Sequence, residues 1–166
     1  RLRSAELAGA SPGTTHARSA DVLRWLGKNS DALEALENAV RAEPDSAEAN
    51  TAFQDVWWQM GGHAECVAAY RRMLDETKDS GPLTFYLGRA QVGRADELRR
   101  TGSFEDARRA YADAVLTWLR YDGMRPGDHA LAAHWTAICQ LSIARVALEE
   151  GDLLRAENEY LAAFQT

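Results

Sequence analysis

The histidines are the first residues of this chain to consider as metal ligands. His129 and His134 lie five positions apart, whereas two ligands on one helix face need a spacing of three or four. His16 and His63 have no cysteine or histidine partner at a ligand spacing. The sequence therefore predicts solvated or singly hydrogen-bonded histidines and no metal site.

The residue types and their spacing do not support nucleophilic or acid–base catalysis either. Cys66 and Cys139 are isolated and fall at predicted buried helical positions, so we interpret both as reduced core residues. No serine lies in a nucleophile-elbow pattern, and Gly88, like the other helical glycines, lacks phosphate-loop spacing and is interpreted as a close-packing point. The adjacent acids Glu149 and Glu150 are interpreted as a solvated helix face. We predict no catalytic residue and no cofactor.

Aspartate and arginine recur at fixed distances before four glycines, and these side chains are suited to binding a polar partner segment. Six residues before the successive glycines stand Asp21, Asp55, Asp96 and Arg145. The complete set of predicted binding residues is Arg18, Asp21, Arg24, Trp25, Asp55, Trp58, Arg89, Asp96, Arg99, Arg100 and Arg145. The two tryptophans are the preferred anchors. The alternative is that these aspartates and arginines pair with one another, each exposed pair contributing under about 1 kcal/mol.

The glycines mark a repeat that positions these side chains. They are Gly27, Gly61, Gly102 and Gly151. Five residues after each stands a small residue, in order Ala32, Cys66, Ala107 and Ala156, and nine after each a large one, in order Leu36, Tyr70, Tyr111 and Tyr160. A glycine that ends one helix and small side chains that bring the next helix close predict antiparallel helix pairs. Pro44 ends the second helix of the first pair.

This pattern resembles the tetratricopeptide repeat (TPR), and Gly27 and Gly61 are separated by its 34-residue period. The resemblance implies an all-α, right-handed superhelix, a solenoid of helical hairpins whose first helices line a concave groove. It also implies a protein-binding role. The asparagine and lysine clamp of chaperone-binding members is not expected, because the chain has only Lys28 and Lys78 and both lie near turns.

The predicted domain is single, with four repeats of unequal length. We place the end of a preceding, truncated repeat at 1–12 and the four repeats at 13–45, 46–80, 81–122 and 128–166. The third and fourth are lengthened, which predicts long helices at about 83–100, 104–120 and 129–150. Both ends lack a polar capping helix, so we expect a fragment of a longer protein whose exposed apolar ends allow homo-oligomers.

Five aromatic residues fall on the added turns of the long helices. They are Phe85, Tyr86, Trp118, Tyr121 and Trp135. One interpretation is that they pack the extended helices against each other, and the other is that they form an aromatic rim that anchors a partner.

Composition and charge limit the fold class of the chain and the classes of partner that it can bind. The chain has 30 alanines and only 9 valines plus isoleucines, which favours helix over sheet. A net charge of −6 without a basic run argues against nucleic acid. The most apolar stretch, 131–148, is interrupted by polar residues, so we expect no membrane segment and a cytoplasmic protein.

Three functions remain after these exclusions. The favoured hypothesis is a non-catalytic scaffold that binds a protein or peptide in the concave groove. The first alternative is a regulatory or substrate-recruiting domain of a larger bacterial signalling enzyme or transcription regulator. The second is a small-molecule pocket, which an enclosed cavity lined by buried polar groups would favour over an open channel.

Overall fold

The computed structural model describes residues 12–164, and these form helices and turns without a strand. The eight α-helices are α1 (Pro12–Trp25), α2 (Asn29–Ala42), α3 (Ala47–Gln59), α4 (His63–Thr77), α5 (Gly81–Arg100), α6 (Phe104–Met124), α7 (His129–Glu149) and α8 (Leu153–Ala163). The predicted all-α helical-repeat fold is therefore confirmed. The segment predicted to end a preceding repeat, 1–12, lies outside the described residues except for its last position.

The four glycines end helices as the repeat predicts. Their φ angles are +73°, +74°, +78° and +83° in chain order, in the left-handed region that glycine adopts at little cost. After the first of them, the Lys28 amide donates to the Leu23 carbonyl at 2.9 Å, which satisfies a carbonyl at the helix end. The equivalent hydrogen bond forms at the end of α5, where the Ser103 amide donates to the Leu98 carbonyl at 2.9 Å.

The small and large residues of the repeat lie in the core, except for Tyr160, which is half-buried. Ala32, Cys66 and Ala107 are fully buried, as are Tyr70 and Tyr111 among the large residues. Their burial confirms that the spacing brings paired helices together, so the fold is TPR-like.

The described helices group into two compact units, which divide between Gly62 and His63. In the first unit α1, α2 and α3 pack on one another, and in the second α4 to α8 pack in chain order. The division falls within the segment 46–80 that was predicted as one repeat. Three helices of the second unit are long, with 20 residues in α5 and 21 each in α6 and α7. Helix α6 extends four residues beyond its predicted end.

The five aromatic residues of the long helices form one cluster in the second unit. The ring of Trp118 stacks on Trp135 at a centroid distance of 5.3 Å and meets Phe85 edge-on at 5.4 Å. Phe85 also contacts Tyr86 and Tyr121. Because Trp118, Tyr86 and Tyr121 are buried, the cluster packs α5, α6 and α7 together. This geometry favours the packing interpretation over a partner-binding rim.

Hydrogen bonds to one aspartate close the connection between α6 and α7. The Tyr121 hydroxyl donates to Asp128 Oδ2 at 2.7 Å, and Arg125 Nε donates to the same oxygen at 3.3 Å. Burial, followed by this hydrogen bond, raises the pKa of Tyr121 to about 12. The Tyr121 hydroxyl donation lowers the pKa of Asp128. The connection is thus held by a tyrosine that stays neutral well into the alkaline range.

This tyrosine predicts an alkaline loss of stability. In the unfolded chain a tyrosine titrates near about pH 10, whereas the folded-state pKa of Tyr121 is about 12. A raised folded-state pKa contributes stability that is complete below the unfolded pKa and is lost as the pH rises through the folded one. We therefore expect the free energy of unfolding, from urea titrations at several pH values, to fall less steeply in this window for Tyr121→Phe than for the wild type. Equal slopes would contradict the prediction.

Helix α7 is the most apolar element among the described residues. Together with the turn before it, Pro126–Glu149 is long and apolar enough by length and composition to cross a membrane, with a mean hydropathy of 1.2. The sequence predicted no membrane segment because polar residues such as His134 and Arg145 interrupt this stretch. In the structure α7 packs between α6 and α8.

Helix α8 leaves much of its apolar surface uncovered. Leu153, Leu154, Leu161 and Phe164 are exposed. This agrees with the expected apolar surface at that end, while pairing through it stays a prediction.

Candidate functional site

In the first unit, the predicted binding residues lie on α1 and α3. Arg18 and Asp21 are exposed, and Arg24 Nη1 lies 3.9 Å from Asp21 Oδ1, so this pair is solvated and weak. Trp25 is 85% exposed at the end of α1. Asp55 on α3 is half-buried, as is its neighbour Trp58. The most accessible anchor on this unit is therefore Trp25.

In the second unit, several predicted binding residues are paired within the chain. Arg99 Nη1 donates to Glu149 Oε1 at 2.8 Å and to Oε2 at 3.2 Å, and Arg145 Nε donates to Oε1 of the same residue at 3.0 Å. The Tyr111 hydroxyl donates to Asp96 Oδ1. These contacts agree with the alternative that the aspartates and arginines satisfy groups of the chain itself.

The two remaining arginines of the predicted set lie on α5. Arg100 Nε donates to the backbone carbonyl of Asp96 at 3.3 Å, and Arg89 is half-buried. The structure thus gathers Asp96, Arg99 and Arg145 around the ends of α5 and α7.

Glu149 and Glu150 are exposed, as interpreted from the sequence, and both are also paired with arginines of neighbouring helices or of α7 itself. Glu149 forms ion pairs with two arginines, and Glu150 forms an ion pair with Arg108 of α6. The reason is that α7 ends beside α5 and α6, which bring their arginines within reach of its last acidic residues. Arg108 is itself buried and is paired a second time with Glu105.

A groove that sequence analysis missed runs between α4 and α6, with α5 as its floor. It contains two adjoining cavities, of about 330 Å³ and about 270 Å³. Leu74 and Leu87 line the first, and Val67, Leu98 and Ala110 line the second. We call this the α4–α6 groove. Its two walls, α4 and α6, are second helices of the repeat, whereas its floor, α5, is one of the first helices that were predicted to bind.

An ion pair stands where the two cavities of the α4–α6 groove meet. Arg71 Nη2 of α4 lies 3.3 Å from Asp113 Oδ2 of α6, and both residues line both cavities. Their side chains are 54% and 57% exposed, so the pair is solvated and contributes under about 1 kcal/mol. A bound molecule can therefore displace it at little cost.

A buried amide lies in the floor of the same groove. Gln91 of α5 is only 5% exposed and lines both cavities. Its Oε1 is buried and accepts no hydrogen bond from residues 12–164. Such a group in a folded protein calls for a partner, because an unsatisfied buried acceptor costs about 1–3 kcal/mol.

The two cysteines are unsuited to nucleophilic chemistry. Burial raises the pKa of the Cys66 thiol to about 12, and burial likewise raises the pKa of Cys139 to about 12. Both are therefore thiols at neutral pH, whereas the thiolate is the nucleophile. Among residues 12–164, no three histidine, cysteine, aspartate or glutamate side chains come together as metal ligands.

Comparison with known proteins returns structural similarity only. No family model and no curated protein matches the chain. A crystal structure of MamA is 16% identical, with a TM-score of 0.44 over 92% of this chain and 77% of that one. A thermophilic TPR protein of Thermus thermophilus is 19% identical, with a TM-score of 0.34 over 92% and 90% of the two chains. At these values the similarity concerns the arrangement of helices alone.

Proposed function

We propose that the chain is a non-catalytic scaffold that binds an extended segment of another protein. The observation that carries this proposal is the α4–α6 groove, in which apolar and polar side chains of three packed helices lie within a charged rim. A groove already formed by packed helices orders little when it binds, so most of the entropic cost falls on the partner segment.

The α4–α6 groove is a better binding surface than the face predicted from the glycine offsets. On α5 and α7, Arg99 and Arg145 already donate to Glu149. A partner that binds there must break these pairs, whereas the pair that crosses the α4–α6 groove, Arg71 with Asp113, is more exposed and has a cavity on either side. Binding through Trp25 and Trp58 in the first unit remains a prediction.

A segment of protein fits the groove better than a small molecule does. Small-molecule sites enclose most of the ligand surface and are mainly apolar. Here the two cavities adjoin along the groove and are bordered by exposed charged side chains such as Arg71 and Arg109. This open, elongated form favours a chain that lies along it.

The wider context of this binding stays a prediction. A regulatory or substrate-recruiting role in a larger signalling enzyme or transcription regulator is compatible with a scaffold, as is a cytoplasmic location. Neither depends on the groove.

Filling the groove tests the proposal. Peptides are selected from a random display library on the wild-type chain, and their affinities are measured by calorimetry. Ala64 is exposed and lines the 270 Å³ cavity, so an indole at this position occupies the space that the peptide needs. We expect Ala64→Trp to weaken binding at least about tenfold.

The matched control is Ala68→Trp. Ala68 is also exposed on α4, one turn further along, and does not line either cavity. We expect it to bind the peptides like the wild type. If Trp25→Ala abolishes binding and Ala64→Trp leaves it unchanged, the partner binds the first unit and the groove proposal fails.

A further inference from the structure

We propose that two copies of the chain pair through one face of α7, with their α7 helices antiparallel. This inference is independent of the proposed function, because the cavities of the α4–α6 groove are lined by α4, α5 and α6 and not by α7. It assigns the contact between copies to the length of one helix, whereas the sequence predicted pairing through the ends of the chain.

The first step is the exposed face of α7. Its positions follow one another at alternating spacings of three and four residues, which place them along one side of a helix. We call this face the α7 stripe, and its members in order are Leu131, His134, Ile138, Leu141, Arg145 and Leu148. All of them are exposed except Ile138, which is half-buried. The α7 stripe is therefore accessible over about 25 Å of helix.

The second step is that α7 is apolar on two opposite sides. Ala132, Cys139 and Val146 recur every seven residues and are buried in the core of the second unit. The α7 stripe lies on the other side of the helix, where its three leucines are 39%, 40% and 48% exposed. An α-helix that is apolar on every side is ordinarily buried on every side. The exposed apolar side chains of the α7 stripe therefore call for a partner.

The third step is the symmetry of the α7 stripe, which identifies the partner as a second copy. Residues at equal distances from its middle match in type, and the three matched pairs are Leu131 with Leu148, Ile138 with Leu141, and His134 with Arg145. Two antiparallel stripes therefore bring large apolar side chains together in four layers and polar side chains together in two. Such self-complementarity is what a twofold-symmetric interface requires.

The two polar layers fix the direction of the pairing. In the antiparallel arrangement the Arg145 guanidinium of one copy lies opposite the His134 ring of the other, and a neutral imidazole has one nitrogen that accepts a hydrogen bond. In a parallel arrangement Arg145 lies opposite its own copy, and the two like charges repel each other. A polar residue within an otherwise apolar seam specifies register in this way.

The net charge of −6 does not oppose this contact, because the carboxylates beside the α7 stripe are compensated within each copy. Glu149 accepts from Arg145 Nε at 3.0 Å and also pairs with Arg99, and Glu150 pairs with Arg108. Both carboxylates at the end of α7 are thus neutralised before a second copy approaches. A guanidinium carries five N–H donors, so the bond from Arg145 to Glu149 leaves others for the second copy.

The first test measures association in solution. Analytical ultracentrifugation of the whole chain over a range of concentrations is expected to show an equilibrium between monomer and dimer. Leu141→Glu places a carboxylate opposite Ile138 of the second copy, where it loses water without gaining a partner. We expect this substitution to raise the dissociation constant of the dimer at least about tenfold.

Two control variants carry the same substitution on other helices. Leu119→Glu on α6 and Leu161→Glu on α8 change leucines that are 56% and 55% exposed. We expect both to dimerise like the wild type, and all three variants to keep the helical content of the wild type by circular dichroism. If Leu161→Glu dissociates the dimer while Leu141→Glu leaves it intact, the copies pair through α8 and this inference is overturned.

Crosslinking tests the antiparallel register without a charged substitution, so it gives a result even if Leu141→Glu fails to fold. In the proposed dimer, position 131 of one copy lies beside position 148 of the other, whereas the two copies of either position are about 25 Å apart. A short bis-maleimide is therefore expected to link the chains of the double variant Leu131→Cys, Leu148→Cys and of neither single variant. The wild type is the background control, because Cys66 and Cys139 are buried. Efficient crosslinking of Leu131→Cys alone would show parallel pairing and overturn this inference.

A chain that stays monomeric up to its solubility limit would also overturn the inference. If that monomer binds phosphatidylcholine vesicles, the α7 stripe contacts a membrane surface instead of a second copy. The groove variant Ala64→Trp is expected to leave dimerisation unchanged, so this inference and the proposed function fail separately.

Discussion

Replacing Trp118 by alanine is expected to lower the free energy of unfolding by about 3–5 kcal/mol, the largest loss we expect from a single substitution in this chain. Trp118 is fully buried on α6, where it stacks on Trp135 of α7 and meets Phe85 of α5 edge-on. Its removal leaves a cavity at the point where three helices meet, and the neighbouring rings are too rigid to fill it. Urea unfolding followed by circular dichroism measures the loss.

The control is Leu119→Ala, the same truncation one residue further along α6. Leu119 is 56% exposed, so little apolar surface is lost, and a change within about 0.5 kcal/mol is expected. Losses of similar size for Trp118→Ala and Leu119→Ala would show that the aromatic cluster does not hold α5, α6 and α7 together.

The fold was predictable because the information that specifies a helix pair is local. A glycine that must adopt a positive φ, and small residues at a fixed distance from it, lie within one hairpin of sequence. Gly27 and Ala32 illustrate this, since the first ends α1 in the left-handed region and the second is fully buried in α2. The repetition of the pattern then identifies every turn between the helices of a pair.

The α4–α6 groove was not predictable, because it depends on residues that no common offset relates. Arg71 follows its glycine, Gly61, by ten positions, whereas Asp113 follows Gly102 by eleven. Their pairing depends on how α4 and α6 are placed across α5. The available signal was Gln91, a polar residue that follows Ala90, a small residue of the helix α5.

For the predicted binding face, the positions of the residues could be predicted, but the partners of their side chains could not. The offsets correctly placed Asp96 and Arg99 on α5, but they could not indicate which groups those side chains bind. Tyr111 belongs to the second helix of the same hairpin, and Glu149 lies 50 residues from Arg99 in sequence. Contacts of such separation follow from packing between hairpins, which a repeat pattern does not encode.

The second large effect is expected at Gly88, the close-packing point on α5. A Cβ at this position would lie 2.6 Å from Cζ2 and 2.7 Å from Cε2 of Trp118. The indole is stacked on Trp135 and has no room to move away. Overpacking of this kind costs about 1–3 kcal/mol or more, while alanine gains up to about 1 kcal/mol of helix propensity. We expect Gly88→Ala to lower the free energy of unfolding by about 1–2 kcal/mol.

Two further variants show whether the indole is the cause. Gly123→Ala makes the same change in α6 at a position where a Cβ meets nothing within 4 Å, so a gain of up to about 1 kcal/mol is expected. In a Trp118→Leu background the contacting ring atoms are gone, and Gly88→Ala is expected to become neutral or stabilising. The sign of its effect should therefore reverse between the two backgrounds. If Gly88→Ala destabilises both equally, the cost comes from the backbone of α5 and not from contact with Trp118.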